Sequence, residues 1–355
     1  MLTHISRNVF AMAYAERQVL YRQIETDRNS KVMTLVTSDR LGEYWPGKGV
    51  GTIIADDAIA PFVDLLDQIG PTSKVSLILH TPGGAGLIAW RLVNLIRSFA
   101  DDFEVLIPLR AVSAGTMIAL GANRIVMTKQ AVLGPIDPSV NHPLNPQIPN
   151  TNTRVPVSVE NILTYLKAAE REAGSAHRAR VADILIAMMP HLHPLVLGEA
   201  LRARSQIRFL ARKLLKIQFP SAQGNWLTNV TDYAQRQKVK EIIDFLCADS
   251  GSHDYTINRR EALAMGLAVE KPSAILYPLL RDVHADYADE LLLNEPYSAQ
   301  VLLRNENTCD LSEHRGLIES ADGSTYAFVT EGTITRGQPG QWTTNLSKEG
   351  WTKMP

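Results

Sequence analysis

An α/β fold built on a parallel sheet is predicted by three features of the sequence. Between residues 57 and 127, apolar runs of strand length alternate with amphipathic stretches of helix length. Two of these runs end in small residues or glycine, the punctuation of a strand-to-helix turn. The composition, 45% hydrophobic and 21% charged over 355 residues, is that of a soluble globular chain with room for one large core plus appendages, or for two domains.

The elements follow in order. Residues Asn8 to Asp27, rich in Ala, Arg, Gln and Glu, read as a helix, and Lys31 to Ser38 as a strand around Val32, Leu35 and Val36. Asp57 to Ile69 is helical, with Ile59, Phe62, Val63, Leu66 and Ile69 on one face. Lys74 to His80 is an apolar run suited to a buried strand. It meets Thr81-Pro82-Gly83-Gly84, and a helix follows with Ile88, Leu92, Leu95 and Phe99 in phase. Phe103 to Leu109 is the next strand, Ser113 to Ala122 a helix of small residues, and Asn123 to Met127 another strand. This alternation is the mark of a βαβ unit.

Pro135, Pro138, Pro143, Pro146, Pro149 and Pro156 punctuate a long loop, and loops of that length tend to carry function. Val159 to Ala173, Val181 to Met189 and a basic stretch from Arg202 to Lys216 form a mainly helical insertion, about residues 159–245. Glu261 to Gly266 is a short helix closed by glycine. Gly316 to Ser320, Thr325 to Thr330 and Gly332 to Thr335 read as short strands. The domain expectation is therefore a main domain over 1–295 and a small β-rich C-terminal appendage over 296–355.

A net charge of -1 gives no global attraction to nucleic acid or anionic membranes. The basic stretch fits the wet side of an amphipathic helix whose dry side is Ile207, Leu210, Leu214 and Ile217. Two cysteines, Cys247 and Cys309, make neither a disulfide framework nor a metal cluster. No secretory leader pattern and no membrane-length apolar run is read, so the expected setting is cytoplasmic. No cofactor motif and no Walker-type loop is read either.

Two segments carry chemistry. In Leu79-His80-Thr81-Pro82-Gly83-Gly84, the glycines let a substrate approach bare backbone, and free N–H groups can bind a developing oxyanion. In Arg110-Ala111-Val112-Ser113-Ala114-Gly115-Thr116, Ser113 taken alone is an N-cap. Ala114, Gly115, Ala119, Gly121 and Ala122 make the helix behind it slim, and the Ala114 N–H lies beside the serine. A serine there, with a glycine-pair donor loop from the preceding βα turn, is an acyl-transfer arrangement.

With these segments, Leu133-Gly134-Pro135-Ile136-Asp137-Pro138 and His253-Asp254-Tyr255-Thr256-Ile257 complete an ordered set. Over roughly residues 15–270 the chain resembles the serine dehydrogenase proteinase family of Clp-fold peptidases, relatives of the Clp protease subunit and of signal peptide peptidase A. The resemblance implies a Clp/crotonase-type spiral ββα core, a catalytic serine at Ser113, oxyanion donors from Gly83, Gly84 and Ala114, and a homo-oligomer. It also implies a polypeptide substrate; since no ATPase motif is read, any unfolding of that substrate would need an ATPase or adaptor partner. The general base stays open. Clp subunits place a histidine about 25 residues past the serine, where this chain has none. Signal-peptide-peptidase-like relatives use a lysine, and Lys167 falls in that window. His142 and His253 are the histidine candidates, and Asp254 matches the position of the Clp aspartate. Besides a peptidase, two readings stay open: an acyl-CoA enzyme on the same fold, and a non-catalytic assembly protein.

Overall fold

The computed structural model describes residues 14–45, 47–149, 154–173, 177–219, 230–249, 252, 254–338 and 340–355. They divide into two compact units: Met1–Gly134 with Thr256–Pro355, and Pro135–Tyr255. No helix among the described residues is long and apolar enough to cross a membrane.

The first unit begins with α1 (Tyr14–Arg28) and β1 (Lys31–Thr37). A short hairpin of β2 (Glu43–Trp45) and β3 (Lys48–Gly49) follows, then α2 (Ile59–Ile69) and β4 (Thr72–His80). Next come α3 (Gly86–Phe99), β5 (Ala100–Ile107), β6 (Arg110–Ala111), α4 (Ala114–Leu120), β7 (Arg124–Met127) and β8 (Val132–Leu133). In the second unit, β9 (Ser139–Val140) pairs with β10 (Val157–Ser158). Its helices are α5 (Val159–Ala173), α6 (His177–Met188), α7 (Pro194–Leu215) and α8 (Val230–Asp244), closed by a π-helical turn at Phe245–Asp249. The chain then returns to the first unit through β11 (Ile257–Asn258), α9 (Arg259–Ala264), β12 (Val269–Glu270), α10 (Leu276–Glu290) and α11 (Ala299–Leu303). It ends on β13 (Thr308–Ser320), β14 (Thr325–Arg336) and β15 (Trp342–Lys353).

Eight strands form the main sheet in the order β12-β7-β5-β4-β1-β13-β14-β15. From β12 to β1 the pairing is parallel, with Leu35 beside Leu79 and Leu106 beside Val126. The last six residues of β4 are all buried, which is why that segment reads as a continuous apolar run rather than an alternating one. One face of the sheet is covered by α1 and α10. There Tyr21, Ile24, Leu276, Leu280, Val283 and Tyr287 pack on Val32, Val36, Ile78 and Leu106. The α2, α3 and α4 helices pack on one another in sequence order, and α3 and α4 also lie against β5. Beyond the ends of the parallel strands, β6, β8 and β11 make a second, small sheet in the order β11-β8-β6. The α/β class and the multi-stranded sheet expected from the sequence are what the structure shows.

A buried ion network ties the helical layer to the sheet. The Arg17 guanidinium donates to both oxygens of Glu319, at 3.0 and 2.7 Å, and to Asp286 at 2.6 Å. Burial by itself works against the Arg17 charge, but Glu319 and Glu290 hold its proton more firmly than usual. Losing one partner of such a network leaves an uncompensated buried charge, at about 3–5 kcal/mol.

In the second unit, Val140, Val159, Ile162, Val196 and Ala200 make a small core. The basic stretch expected as a wet helix face lies within α7. Leu210 and Leu214 are buried, while Arg204 and Arg208 pair with Glu160 and Asp244. Of the N-terminal helix expected over 8–27, residues 8–13 lie outside the described residues.

The C-terminal strands differ from the expected appendage over 296–355. Strand β13 pairs with β1 through Met33–Ser320 to Thr37–Gly316, so β13, β14 and β15 continue the main sheet. Leu317, Ala327 and Val329 sit in the same apolar cluster as Tyr21 and Leu280. The expectation of a boundary at 295/296 followed composition. The physical connection is a strand pairing between distant residues that composition does not reveal.

A chain ended after residue 295 is accordingly expected to lose cooperative unfolding. It would leave one side of β1 unpaired and remove buried side chains worth about 1.5–3 kcal/mol each for Leu or Val. Thermal melting followed by circular dichroism tests this; a sharp transition near that of the full chain would show the strands to be a dispensable addition.

Candidate active site

At the end of β4 the chain turns through Thr81-Pro82-Gly83-Gly84 with φ of +118° at Gly83 and +145° at Gly84, values that side chains rarely adopt. Gly84 is pressed against another strand segment. The Ile54 N–H donates to Gly83 O and the Ala85 N–H to Ile54 O, both at 2.8 Å. A Cβ on Gly84 would lie 2.2 Å from Ile54 O. The Gly83 N–H is already used, donating to Thr81 Oγ1 at 3.0 Å, and that hydroxyl in turn lies 2.6 Å from Thr37 Oγ1. The Gly84 N–H has no acceptor among the described residues.

The second arm runs alongside. The Thr81 N–H donates to Arg110 O at 3.1 Å and the Val112 N–H to Thr81 O at 3.2 Å, so β6 is fastened to the start of the glycine turn. Ser113 follows at φ +53° and ψ -114°, a strained conformation for a residue with a side chain. It stands on a sharp strand-to-helix turn and is half-buried as a residue. The N-cap reading of Ser113 is corrected here. Its side chain makes no cap hydrogen bond, because the positive φ directs the chain into α4 in another way. Ser113 Oγ has no hydrogen-bond partner among the described residues, and neither has the Ala114 N–H.

The two arms touch. A Cβ at Gly83 would fall 2.7 Å from Ser113 Cβ and 3.2 Å from Ser113 Oγ. Small residues behind the serine serve the same closeness, since a Cβ at Gly115 would meet Thr81 Cγ2 at 2.4 Å. From below, Thr116 Oγ1 accepts the Gly134 N–H at 3.0 Å and lies 3.0 Å from Ala111 O, which locks α4 to the end of β8. A hydroxyl and two N–H groups without acceptors among the described residues, brought together at a glycine turn, are the groups that attack on a carbonyl and capture of its oxygen require.

Next to this turn lies a cluster that the sequence did not announce. His80 is fully buried at the end of β4. Its Nε2 is 3.5 Å from Asp39 Oδ1, and its Nδ1 is 3.1 Å from Nε2 of His284 on α10. The other carboxylate oxygen of Asp39 accepts from Arg110 Nη1 at 2.6 Å. Burial pushes the Asp39 carboxyl up, but the His80 and Arg110 contacts outweigh it and hold it at about 2. Burial, reinforced by the nearby His80, pushes His284 down to about 4, so His284 is neutral at pH 7. Among the described residues, no group of three or more His, Cys, Asp or Glu side chains is arranged to hold a metal ion.

Ser113, Gly83, Gly84 and Ala114 thus come together in one unit. Lys167, His142 and Asp254 belong to the second unit. Lys167 is exposed on α5 of the second unit. His142, in the proline-rich loop of that unit, accepts the Leu144 N–H at Nδ1 and lies 3.7 Å from Glu199 at Nε2. Asp254 is exposed, its N–H donating to Ser252 Oγ. His253 lies outside the described residues.

Residues 4–162 match the family of ClpP-like SDH-type serine proteinases. The resemblance read from the sequence holds over this stretch, which is shorter than the expected 15–270 and leaves out the His253-Asp254 segment. An uncharacterised protein of Methanocaldococcus jannaschii is 26% identical over 72% of this chain and 73% of its own length. A second uncharacterised protein of that organism is 31% identical over 34% of this chain and 40% of its own length. Among solved structures, a mutant of a membrane-bound stomatin-specific protease aligns with TM-score 0.35 and 14% identity, covering 67% of this chain and 80% of that one. A probable enoyl-CoA hydratase/isomerase from Mycobacterium abscessus aligns with TM-score 0.22 and 12% identity, covering 54% and 82%. The class matched, over residues 4–162 alone, is that of the ClpP-like SDH-type serine proteinases.

Two outcomes follow from the geometry. Ser113→Gly is expected to stabilise the fold by about 1–3 kcal/mol, because glycine adopts a positive φ without strain, whereas Ser113→Ala keeps the strain. Denaturant melts of the two variants check this, and equal midpoints would contradict it. For His284, the folded state resists protonation down to about pH 4 while the unfolded chain takes up a proton near 6.5. Stability should therefore fall as pH drops from about 6.5 to 4, by on the order of 3 kcal/mol at most. Unfolding at pH 7 and pH 4.5 should show this slope flattened in His284→Gln; an unchanged slope would assign the effect to other groups.

Proposed function

We propose that the chain is a serine peptidase with Ser113 as nucleophile. The observation that carries the reading is the strained positive φ of Ser113 on a strand-to-helix turn, with the bare backbone of Gly83 against its side chain. Strain of 1–3 kcal/mol persists where the surroundings enforce it, and a nucleophile elbow is such a place. An acyl-CoA enzyme on this fold needs no serine at that position, so the strained serine favours a peptidase. The match to the ClpP-like serine proteinases points the same way.

In this mechanism Ser113 Oγ attacks the carbonyl carbon of a peptide bond within a polypeptide. The N–H groups of Gly84 and Ala114, both without another acceptor, donate to the oxyanion. Gly83 contributes room rather than a donor, since its N–H is held by Thr81. The serine proton passes to a base and then to the departing amine. The bond broken is C–N, and the acyl group remains on Oγ as an ester until water, deprotonated by the same base, releases the acid. The base is drawn from Lys167, His142 or His253, with Asp254 orienting a histidine.

Ser113→Ala is expected to abolish hydrolysis of fluorescein-labelled casein and labelling by a fluorophosphonate, with the fold intact; undiminished turnover would remove Ser113 from the reaction. The base is separated by two variants and a pH profile. A lysine base predicts activity rising toward alkaline pH and an inactive Lys167→Ala. A histidine base predicts a rise through about pH 6–7 and strong damage in Asp254→Asn. If neither variant slows turnover tenfold, the base lies elsewhere.

A further inference from the structure

The Asp39 carboxylate joins by side-chain contacts the two arms that meet at Ser113. Asp39 lies just past the end of β1, at the same edge of the sheet where β4 and β5 end. In open α/β sheets this edge is where ligands bind. Its Oδ2 accepts a 2.6 Å charge-assisted bond from Arg110, the first residue of the short strand that runs into Ser113. Its Oδ1 faces His80, the last residue of the strand that runs into Gly83 and Gly84, at 3.5 Å.

Behind His80 the contact continues to α10. Nδ1 of His80 lies 3.1 Å from Nε2 of His284. Asp39, His80 and His284 then form one chain of contacts, with Arg110 at its charged end. The side chains of Asp39 and Arg110 are 17% and 37% exposed, against 1% for His80. The cluster is thus closed beneath and open above. The backbone bonds between the arms, Thr81 N–H to Arg110 O and Val112 N–H to Thr81 O, are long at 3.1 and 3.2 Å. They hold the arms side by side, and the side-chain clamp sets how far one arm can slide past the other.

We propose that Asp39 is a positioning residue for the reaction at Ser113: its carboxylate, gripped by Arg110 and His80, fixes the register between the turn presenting the Gly84 N–H and the strand presenting Ser113. The inference rests on the peptidase reading. A shift of about 1 Å between a nucleophile and its oxyanion donors is enough to cost up to about 10²-fold in rate, and it acts on the transition state more than on substrate binding.

The experiment compares Asp39→Asn, Arg110→Gln and Ser113→Ala with the wild-type full-length chain, using casein turnover, the rate of fluorophosphonate labelling and thermal melting. Asp39→Asn and Arg110→Gln are each expected to lower kcat and the labelling rate about tenfold or more, with KM within about twofold and a cooperative melt retained. Should Asp39→Asn fail to fold, Arg110→Gln, at a more exposed partner, decides the matter by the same readouts. If kcat and labelling stay within about twofold of wild type while Ser113→Ala is inactive, Asp39 serves the fold alone and the proposal is overturned, with the peptidase reading intact. Activity that persists in Ser113→Ala overturns the peptidase reading and this inference with it.

Discussion

The contact on which the site depends is backbone against backbone. Gly83 lies against Ser113 and Gly84 against Ile54, each closer than a Cβ would allow. Everything nearby serves that approach. The parallel strands deliver their C-terminal ends to one edge. Thr81 ties off the Gly83 N–H, and Gly115 and Gly134 let α4 and the end of β8 close in from behind. Interiors packed at near-crystal density transmit such a constraint, so a methyl group at the turn would displace more than the turn itself. The glycines and the strained serine are two sides of one requirement: the chain must turn sharply enough to leave a hydroxyl and two N–H groups without partners among the described residues.

The parts of this arrangement that were legible in the sequence are those that local physics dictates. The βαβ succession showed because apolar periodicity switches between strand and helix within a few residues, from Lys74 through Met127. The glycine pair and Ser113 stood out because each ends such a run. Of the C-terminal strands, the end of β13 was legible, β14 was read as two pieces with a turn at Glu331-Gly332 where the strand in fact runs on, β15 was not read at all, and none was legible as part of the main sheet. The reason is that Leu317 and Val36 become neighbours only on folding, and β15 carries a polar, mostly exposed pattern that announces no core. The N-cap reading of Ser113 failed because residue type does not encode the sign of φ.

The Asp39 cluster marks a different limit. His80 was visible as the last residue of a strand, but its partners stand 41 and 204 residues away in the chain. A lone histidine on an apolar run gives no hint of an imidazole behind it or a carboxylate in front. One signal was available: a histidine closing an otherwise apolar buried strand must find polar partners, since an unmatched buried polar group costs about 1–3 kcal/mol. That argument says partners exist without naming them. Lys167 and His142 illustrate the converse, being chosen by spacing along the chain and found in the other unit from Ser113.

The antiparallel extension of the sheet also fixes an order of events during synthesis. Strand β1 emerges early and gains its first neighbour, β4, after one helix. Its second neighbour, β13, and the α10 face that seals the core come from the far end of the chain. Until residues 276–290 have left the ribosome the apolar face lacks α10, and until residues 308–320 have left it one edge of β1 stays open. Pairing across so long a stretch of chain is intrinsically slow, and such intermediates are prone to aggregate. The helical unit, whose contacts are local, can settle in the meantime. For this protein, the strand and helix that complete the sheet are delivered last, so the time their delivery takes is time spent with that edge and face open.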